Sequence, residues 1–362
     1  KAFGKRRGAL VAIDPSNGGI LALVSMPGYD PNLFVDGINS QDWEILNTSE
    51  DKPMVNRALN GAYPPGSTFK PFMALAALET GKRTPQQAIS DPGFFTFGGH
   101  TFRDDKPGGH GIVDMYKSIV HSCDTYYYVL ANDMGIDAIS AFMRQLGLGQ
   151  RTGIDIEGES EGVLPSQEWK KKRFRKPEQQ KWYAGETISI GIGQGYNAYT
   201  PIQLAQATAA VASGGVIYRP HLVKHIENIN TGERTPIEPQ PLRTLPLKPA
   251  NVEIIRQAMV GVNKEGTGAR AFAGAEYVSA GKTGTKEILY VLFSALGETH
   301  ASKKSFNNHW GVPLSLANLP LTAQYAVFEM GMNHAGEMTI LSSWVKPQFT
   351  LITTIEPAHI EH

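Results

Sequence analysis

At 362 residues, 41% of them hydrophobic, the chain is long enough for two domains or for one large domain with a subdomain. Thirty-four Lys and Arg balance 34 Asp and Glu, so there is no net field and composition supplies no argument for nucleic acid as a partner. The single cysteine, Cys123, excludes an internal disulfide framework, and the absence of any run of 18 apolar residues means that no membrane-spanning helix is expected in this sequence.

Taken in chain order, GALVAIDPSNGGILALVS (8–25) places two apolar, β-rich runs around a Pro-Ser-Asn-Gly-Gly turn and predicts a hairpin that opens an antiparallel sheet. PPGSTFKPFMALAALETG follows, and predicts an apolar helix from about Ser67 to a stop at Gly81. Residues 112–147 and 200–214 are expected to be helical, and 215–247 to be irregular chain with short strands. The basic run WKKKRFRKPEQQKWY (169–183) is expected to be a solvated loop.

Beyond Thr285 the character changes. KEILYVLFSALG and GEMTILSSWV have helical spacing, whereas YAVFEMGM and FTLITTI are buried-strand runs, an alternation that predicts a parallel α/β lobe. Five of the ten histidines also fall in this last part. A boundary is therefore expected near residues 281–286, dividing the chain into 1–280 and 281–362.

Ser67-Thr-Phe-Lys70 puts a hydroxyl and an amine three residues apart, hence on one face of a helical turn. A serine becomes a nucleophile when a nearby base removes its proton, and free N–H groups at a helix start favour the developing oxyanion. Alone, so short a motif is better read as an N-cap serine beside a solvated lysine. Two further elements lie downstream: Ser122-Cys-Asp124 between two helical segments, and Lys282-Thr-Gly284. Their order is that of the S-x-x-K, S-x-N and K-T-G elements of penicillin-recognising enzymes.

With these elements, and with NRALNGAYPPGSTFKP, DTYYYVLANDMG and GIGQGYNAYTPIQLA, residues 7–285 resemble the transpeptidase domain of class B penicillin-binding proteins of the elongation, rod-shape type. The resemblance implies an α+β serine transpeptidase fold, an antiparallel sheet flanked by helices with a helical subdomain. It also implies cross-linking of peptidoglycan stem peptides through an acyl-enzyme, and acylation by β-lactams. Ser67 would be the nucleophile, Lys70 its base and Ser122 the proton relay to the leaving amine. Asp124 stands where most relatives have Asn, and would either contact the substrate amide or orient Lys70. Lys282, Thr283, Gly284 and Thr285 would hold the terminal carboxylate, with N–H groups of Ser67 and Thr285 as oxyanion hole. A glycan polymerase and the elongation machinery would be partners, at the periplasmic face of the inner membrane, with the anchor outside this chain. A penicillin-sensing receptor domain uses the same serine and is the non-catalytic alternative.

The loop DPGFFTFGGHTFRDDKPGGHG has little apolar content to hold it in place. Asp91, Asp104 and His110 in this loop, together with Cys123, are four donors of acceptable type for zinc, with Asp105 a rival for Asp104. Elongation-type relatives are similar in carrying a zinc site here.

Gly281-Lys-Thr could instead close a phosphate loop, but the first glycine of such a loop would fall at Glu276, and the nearest glycine is Gly274. Downstream, GKTGTKEILYVLFSALG, SFNNHWGVPLSLANLP, VFEMGMNHAGE and ITTIEPAHIEH resemble the central ATP-binding domain of the Mur ligase that adds D-Ala-D-Ala to the UDP-muramoyl tripeptide. That resemblance gives Lys282 and Thr283 to ATP phosphate and magnesium, Glu329 to magnesium, Asn307, Asn308 and His309 to the nucleotide pocket, and His359 to a second metal region. The chain thus reads as two incomplete pieces, a truncated transpeptidase and a partial ligase lobe, joined inside a motif common to both. One lysine cannot serve both chemistries, and the ligase-like residues are expected to form a separate lobe.

Overall fold

A computed structural model describes residues 7–273, 277–284, 299–301 and 325–327. Contacts group residues 9–25 with 55–284 as one compact unit; a second takes in 26–54 and the described residues beyond 284. Residues 26–54 fall in the second unit. That stretch contributes little to a core: its one α-helix, α1 (Ser40–Thr48), is capped by Asn39 and has no buried residue.

In the first unit, β1 (Gly8–Ile13) pairs with β2 (Ile20–Met26) as the predicted hairpin. The turn is closed by the Asp14 N–H donating to the Gly19 carbonyl at 2.9 Å. The predicted helix at Ser67 begins differently. Gly66–Phe69 form a 3-10 turn and α2 runs from Lys70 to Glu79. Pro71 explains the difference: it has no N–H to give the Ser67 carbonyl in an α-type bond, so the Lys70 N–H takes that carbonyl instead. Ser67 thus lies inside the tight turn rather than at an N-cap. Every residue of α2 from Lys70 to Leu78 is buried, as befits a helix apolar on all sides.

The 112–147 segment is not continuous helix. Two short antiparallel pairs precede it: β3 (Ile89–Asp91) with β6 (Gly111–Val113), and β4 (Phe94–Phe97) with β5 (His100–Arg103). Next come α3 (Met115–Val120) and α4 (Asp124–Gln145), the latter kinked at Gly135. The break between α3 and α4 carries Ser122 and Cys123. Beyond it lie α5 (Gln167–Arg173), α6 (Pro177–Gln180), α7 (Ala184–Ile190) and α8 (Pro201–Ala212), whose Thr200–Gln203 capping box marks the start near the expected residue 200. As expected, 215–247 holds only short strands: β7 (Val216–Tyr218) pairs with β10 (Pro241–Thr244), and β8 (His225–Glu227) with β9 (Arg234–Pro236). Helix α9 (Pro249–Lys264) completes the unit.

Phe69, Met73, Leu75, Tyr127, Leu130, Ile139, Ala207, Ile255 and Val262 pack into one core around α2 and α4. Burial of each large apolar side chain there contributes about 1.5–3 kcal/mol. The basic run is mostly solvated, but Lys170 turns inward. It donates to the Glu186 carboxylate at 2.5 and 2.6 Å and lies over the rings of Trp182, Tyr183 and Tyr196. Residues 277–284 belong to no helix and have no ladder partner among the described residues.

In the second unit, β11 (Thr299–Ala301) and β12 (Tyr325–Val327) pair in parallel, with Thr299 opposite Tyr325. The parallel sense agrees with the α/β alternation read from the sequence, and β12 opens the expected YAVFEMGM strand. Thr285, Asn307, Asn308, His309, Glu329 and His359 lie outside the described residues.

Candidate active site

Buried α2 carries Lys70 at its first position, and no part of that lysine reaches solvent. A buried ammonium requires compensation. It pairs with the Asp124 carboxylate at 2.7 Å and donates to Ser122, to the carbonyl at 2.5 Å and to Oγ at 3.2 Å. Ser122 adopts φ 61°, a left-handed conformation rare outside glycine and costly by about 1–3 kcal/mol, which aims its carbonyl and its hydroxyl together at Lys70. The Lys282 ammonium, 160 residues away in sequence, donates to the same Oγ at 2.8 Å. Burial of this charged end, followed by the nearby Lys70 charge, holds the Lys282 pKa well below the ordinary lysine range.

Ser67 lies one turn before Lys70 and is 1% exposed; its hydroxyl has no hydrogen-bond partner among the described residues. The turn that carries it is pinned by backbone. The Gly66 N–H donates to the Gly193 carbonyl at 3.0 Å, and a Cβ on Gly193 would meet the Gly66 oxygen at 2.3 Å. Glycine at 193, at φ 75°, is therefore what lets the 191–195 loop close on the serine turn. GIGQG carries part of the family resemblance, and its backbone role at the serine turn has no signal in the sequence.

The arrangement brings Lys70, Ser122, Asp124 and Lys282 into one polar cluster, next in chain to Ser67. Chemically, it provides a hydroxyl held between two cations and a carboxylate that balances the deeper one. Thr283 Oγ1 hydrogen-bonds Thr267 Oγ1 at 2.6 Å, and Gly284 is exposed at the end of the described segment.

A second cluster abuts the first through the chain itself. One ligand-type atom from each of Asp91, Asp104, His110 and Cys123 lies within 4.8 Å of all the others. The His110 ring nitrogen Nδ1 is 2.8 Å from Asp91 Oδ2 and 3.5 Å from Asp104 Oδ1; Cys123 Sγ is 3.3 and 3.5 Å from Asp91 and Asp104. Of the two neighbouring aspartates it is Asp104 that joins this set, whereas Asp105 belongs to a separate acidic group with Asp104 and Asp124. The loop is shaped for it. Gly109, at φ 77°, passes so close to β3 that a Cβ would strike the Asp91 carbonyl at 2.2 Å, and the Thr125 N–H at the start of α4 donates to Asp104 at 2.7 Å.

Burial pushes the Asp91 carboxyl up, but the nearby Thr125 side chain, together with hydrogen bonds from the Gly93 N–H and His110, outweighs it and holds the group at about 2. Burial, then the Asp104 charge, pushes the Cys123 thiol far above its usual range. Two buried carboxylates, a thiol and an imidazole around one point, with no cationic side chain among them, are a donor set that fits a divalent soft-to-borderline cation.

The family model of the penicillin binding protein transpeptidase domain matches residues 8–301, and that of the Mur ligase middle domain matches 279–362. The chain is 44% identical over 354 residues to the peptidoglycan D,D-transpeptidase MrdA of Acinetobacter baumannii, an alignment covering 95% of this chain and 50% of that protein. Among solved structures, Pseudomonas aeruginosa PBP2 in complex with WCK 5153 superposes with a TM-score of 0.72 at 45% identity, covering 78% of this chain and 64% of that one. Helicobacter pylori PBP2, in its complex with MreC, gives 0.69 at 34% identity over 78% of this chain and 50% of that one. The chain spans about half the length of the curated relatives it matches. None of the described helices is long and apolar enough to cross a membrane.

Proposed function

Because the chain belongs to the penicillin-binding protein transpeptidase family, we propose that residues 8–284 carry the acyl-transfer machinery of a peptidoglycan D,D-transpeptidase. The observation that supports this most is the Ser122 hydroxyl held at 3.2 Å from the Lys70 nitrogen and 2.8 Å from the Lys282 nitrogen, beside the serine turn. Ser67 Oγ attacks the penultimate D-Ala carbonyl of a stem peptide and gives its proton to the Lys70 nitrogen, which acts as the base. The peptide bond breaks, and the terminal D-Ala leaves as an amine that receives a proton through Ser122. Lys282 and Thr283 grip the terminal carboxylate. A neighbouring stem's amine then attacks the ester, forming the cross-link and restoring the Ser67 hydroxyl. The place of action is the periplasmic face of the inner membrane, and the resemblance to the PBP2 solved with MreC supports a partner from the elongation machinery.

The Mur ligase match favours a second reading for residues 279–362, as part of an ATP- and magnesium-binding lobe. It overlaps the transpeptidase match at 279–301, on the motif the two families have in common. The hydrogen bond from Lys282 to Ser122 supports the transpeptidase reading of this lysine.

Labelling with a fluorescent penicillin tests the proposal. The chain is expected to take covalent label and Ser67→Ala none. Label that persists in Ser67→Ala overturns it, and label without turnover of a D-Ala-D-Ala donor favours a penicillin-sensing receptor.

Asp91, Asp104, His110 and Cys123 would hold one zinc ion, whose chemistry here is structural: it neutralises the buried carboxylates and keeps the cysteine as thiolate. Cys123 lies between Ser122 and Asp124, so these residues also fix the loop that presents the Lys70 partners. Metal analysis should find about one zinc per chain, and Cys123→Ser should lower zinc retention by about tenfold or more. A folded, metal-free protein whose melting is insensitive to chelator contradicts the site.

A further inference from the structure

Lys282 is the one cation of the cluster that does not come from the α2–α4 core, and its segment lacks strand neighbours among the described residues. Its placement therefore requires another support. We infer that Asn263, on the last turn of α9, is a positioning residue that brackets Ser279–Thr283 and so sets the Lys282 ammonium on Ser122; the inference rests on the transpeptidase reading for its catalytic consequence.

Asn263 is 7% exposed, and its Nδ2 donates to Ser279 Oγ at 2.9 Å. On either side of Lys282, α9 and the turn after it make a further bond: the Gly281 N–H donates to the Met259 carbonyl at 3.0 Å, and Thr283 Oγ1 meets Thr267 Oγ1 at 2.6 Å. The amide of Asn263 is clasped between two glycines. A Cβ on Gly281 would lie 2.8 Å from Oδ1 and one on Gly268 would lie 2.7 Å from it, distances that real Cβ atoms do not tolerate. Gly281 thus has a reason to be glycine that owes nothing to phosphate: it admits the Asn263 side chain.

The other end of this frame holds Ser122. The Thr267 N–H donates to the Val120 carbonyl at 3.2 Å, and Tyr116 OH donates to Glu265 Oε1 at 2.6 Å, so α9 and the turn after it are tied to α3, which leads directly into Ser122. Asn263 therefore registers the third motif against the second.

The test uses the whole chain with Asn263→Ala, Ser279→Ala, the double variant and Gly281→Ala, read two ways. The first is the rate of Ser67 acylation by a fluorescent penicillin. The second needs no turnover: the rate at which an amine-acetylating reagent modifies Lys282, mapped by mass spectrometry. Asn263→Ala is expected to acetylate Lys282 several-fold faster and to acylate about tenfold more slowly, as expected when a hydrogen bond that positions a charge is lost. The Asn263–Ser279 double variant should be no worse than the worse single. Gly281→Ala, which keeps Asn263 but displaces it, should expose Lys282 in the same way, and it serves where Asn263→Ala does not fold. Unchanged Lys282 reactivity in the folded variants overturns the inference whatever the acylation rate. If Lys282 protection depends on Asn263 while the parent chain takes no label, the positioning stands and the transpeptidase reading falls.

Discussion

Replacing Lys70 with alanine is expected to lower the rate of Ser67 acylation by about 10²–10⁴-fold, the range a positioned general base contributes. It should also destabilise the fold, because Asp124 has its buried ion-pair partner in Lys70 at 2.7 Å, and removing one member of such a pair costs about 3–5 kcal/mol. The two effects separate in the double variant. Lys70→Ala with Asp124→Asn leaves no uncompensated charge, so melting should recover while acylation stays low. A single variant that acylates at the parent rate removes Lys70 from the mechanism, and a double variant that recovers acylation along with stability shows that the loss was only a folding defect.

Lys282→Arg is expected to change the pH profile more than the neutral-pH rate. Binding of the substrate carboxylate requires the ammonium form, and burial and Lys70 together hold the Lys282 pKa well below the ordinary lysine range. Activity is therefore complete below that depressed pKa and is lost as pH rises through it. A guanidinium stays protonated across this range, so the alkaline limb should move upward, at the cost of about tenfold in rate from the poorer fit of a planar fork. Acylation measured across pH checks this, and an alkaline limb in the same place for Lys282→Arg assigns the titration to another group.

How much of the site could be read beforehand depended on the sequence separation of its parts. Ser67 and Lys70 are three residues apart, and helical geometry alone puts them on one face. The four donor residues do lie together, three of them in one apolar-poor loop, but it was the family resemblance and not spacing that singled out the lone cysteine. That Ser122 and Lys282 belong to one site, 160 residues apart, followed from the resemblance of the three motifs and not from local periodicity, which encodes no contact of that range. Asn263 was missed because periodicity does not encode its contacts either; its one local signal is a polar residue directly after buried Val262 in an otherwise amphipathic helix. The tight turn at Ser67 was misread as α-helix, although Pro71 was the clue.

The central claim, that Ser67 is the residue acylated within the Lys70, Ser122 and Lys282 cluster, is tested most directly by exposing the chain to a penicillin and mapping the adduct by peptide mass spectrometry. The structure predicts one added penicilloyl group per chain, located on Ser67 and absent when the protein is unfolded first. An adduct on any other residue, or none in the folded protein, would contradict the account.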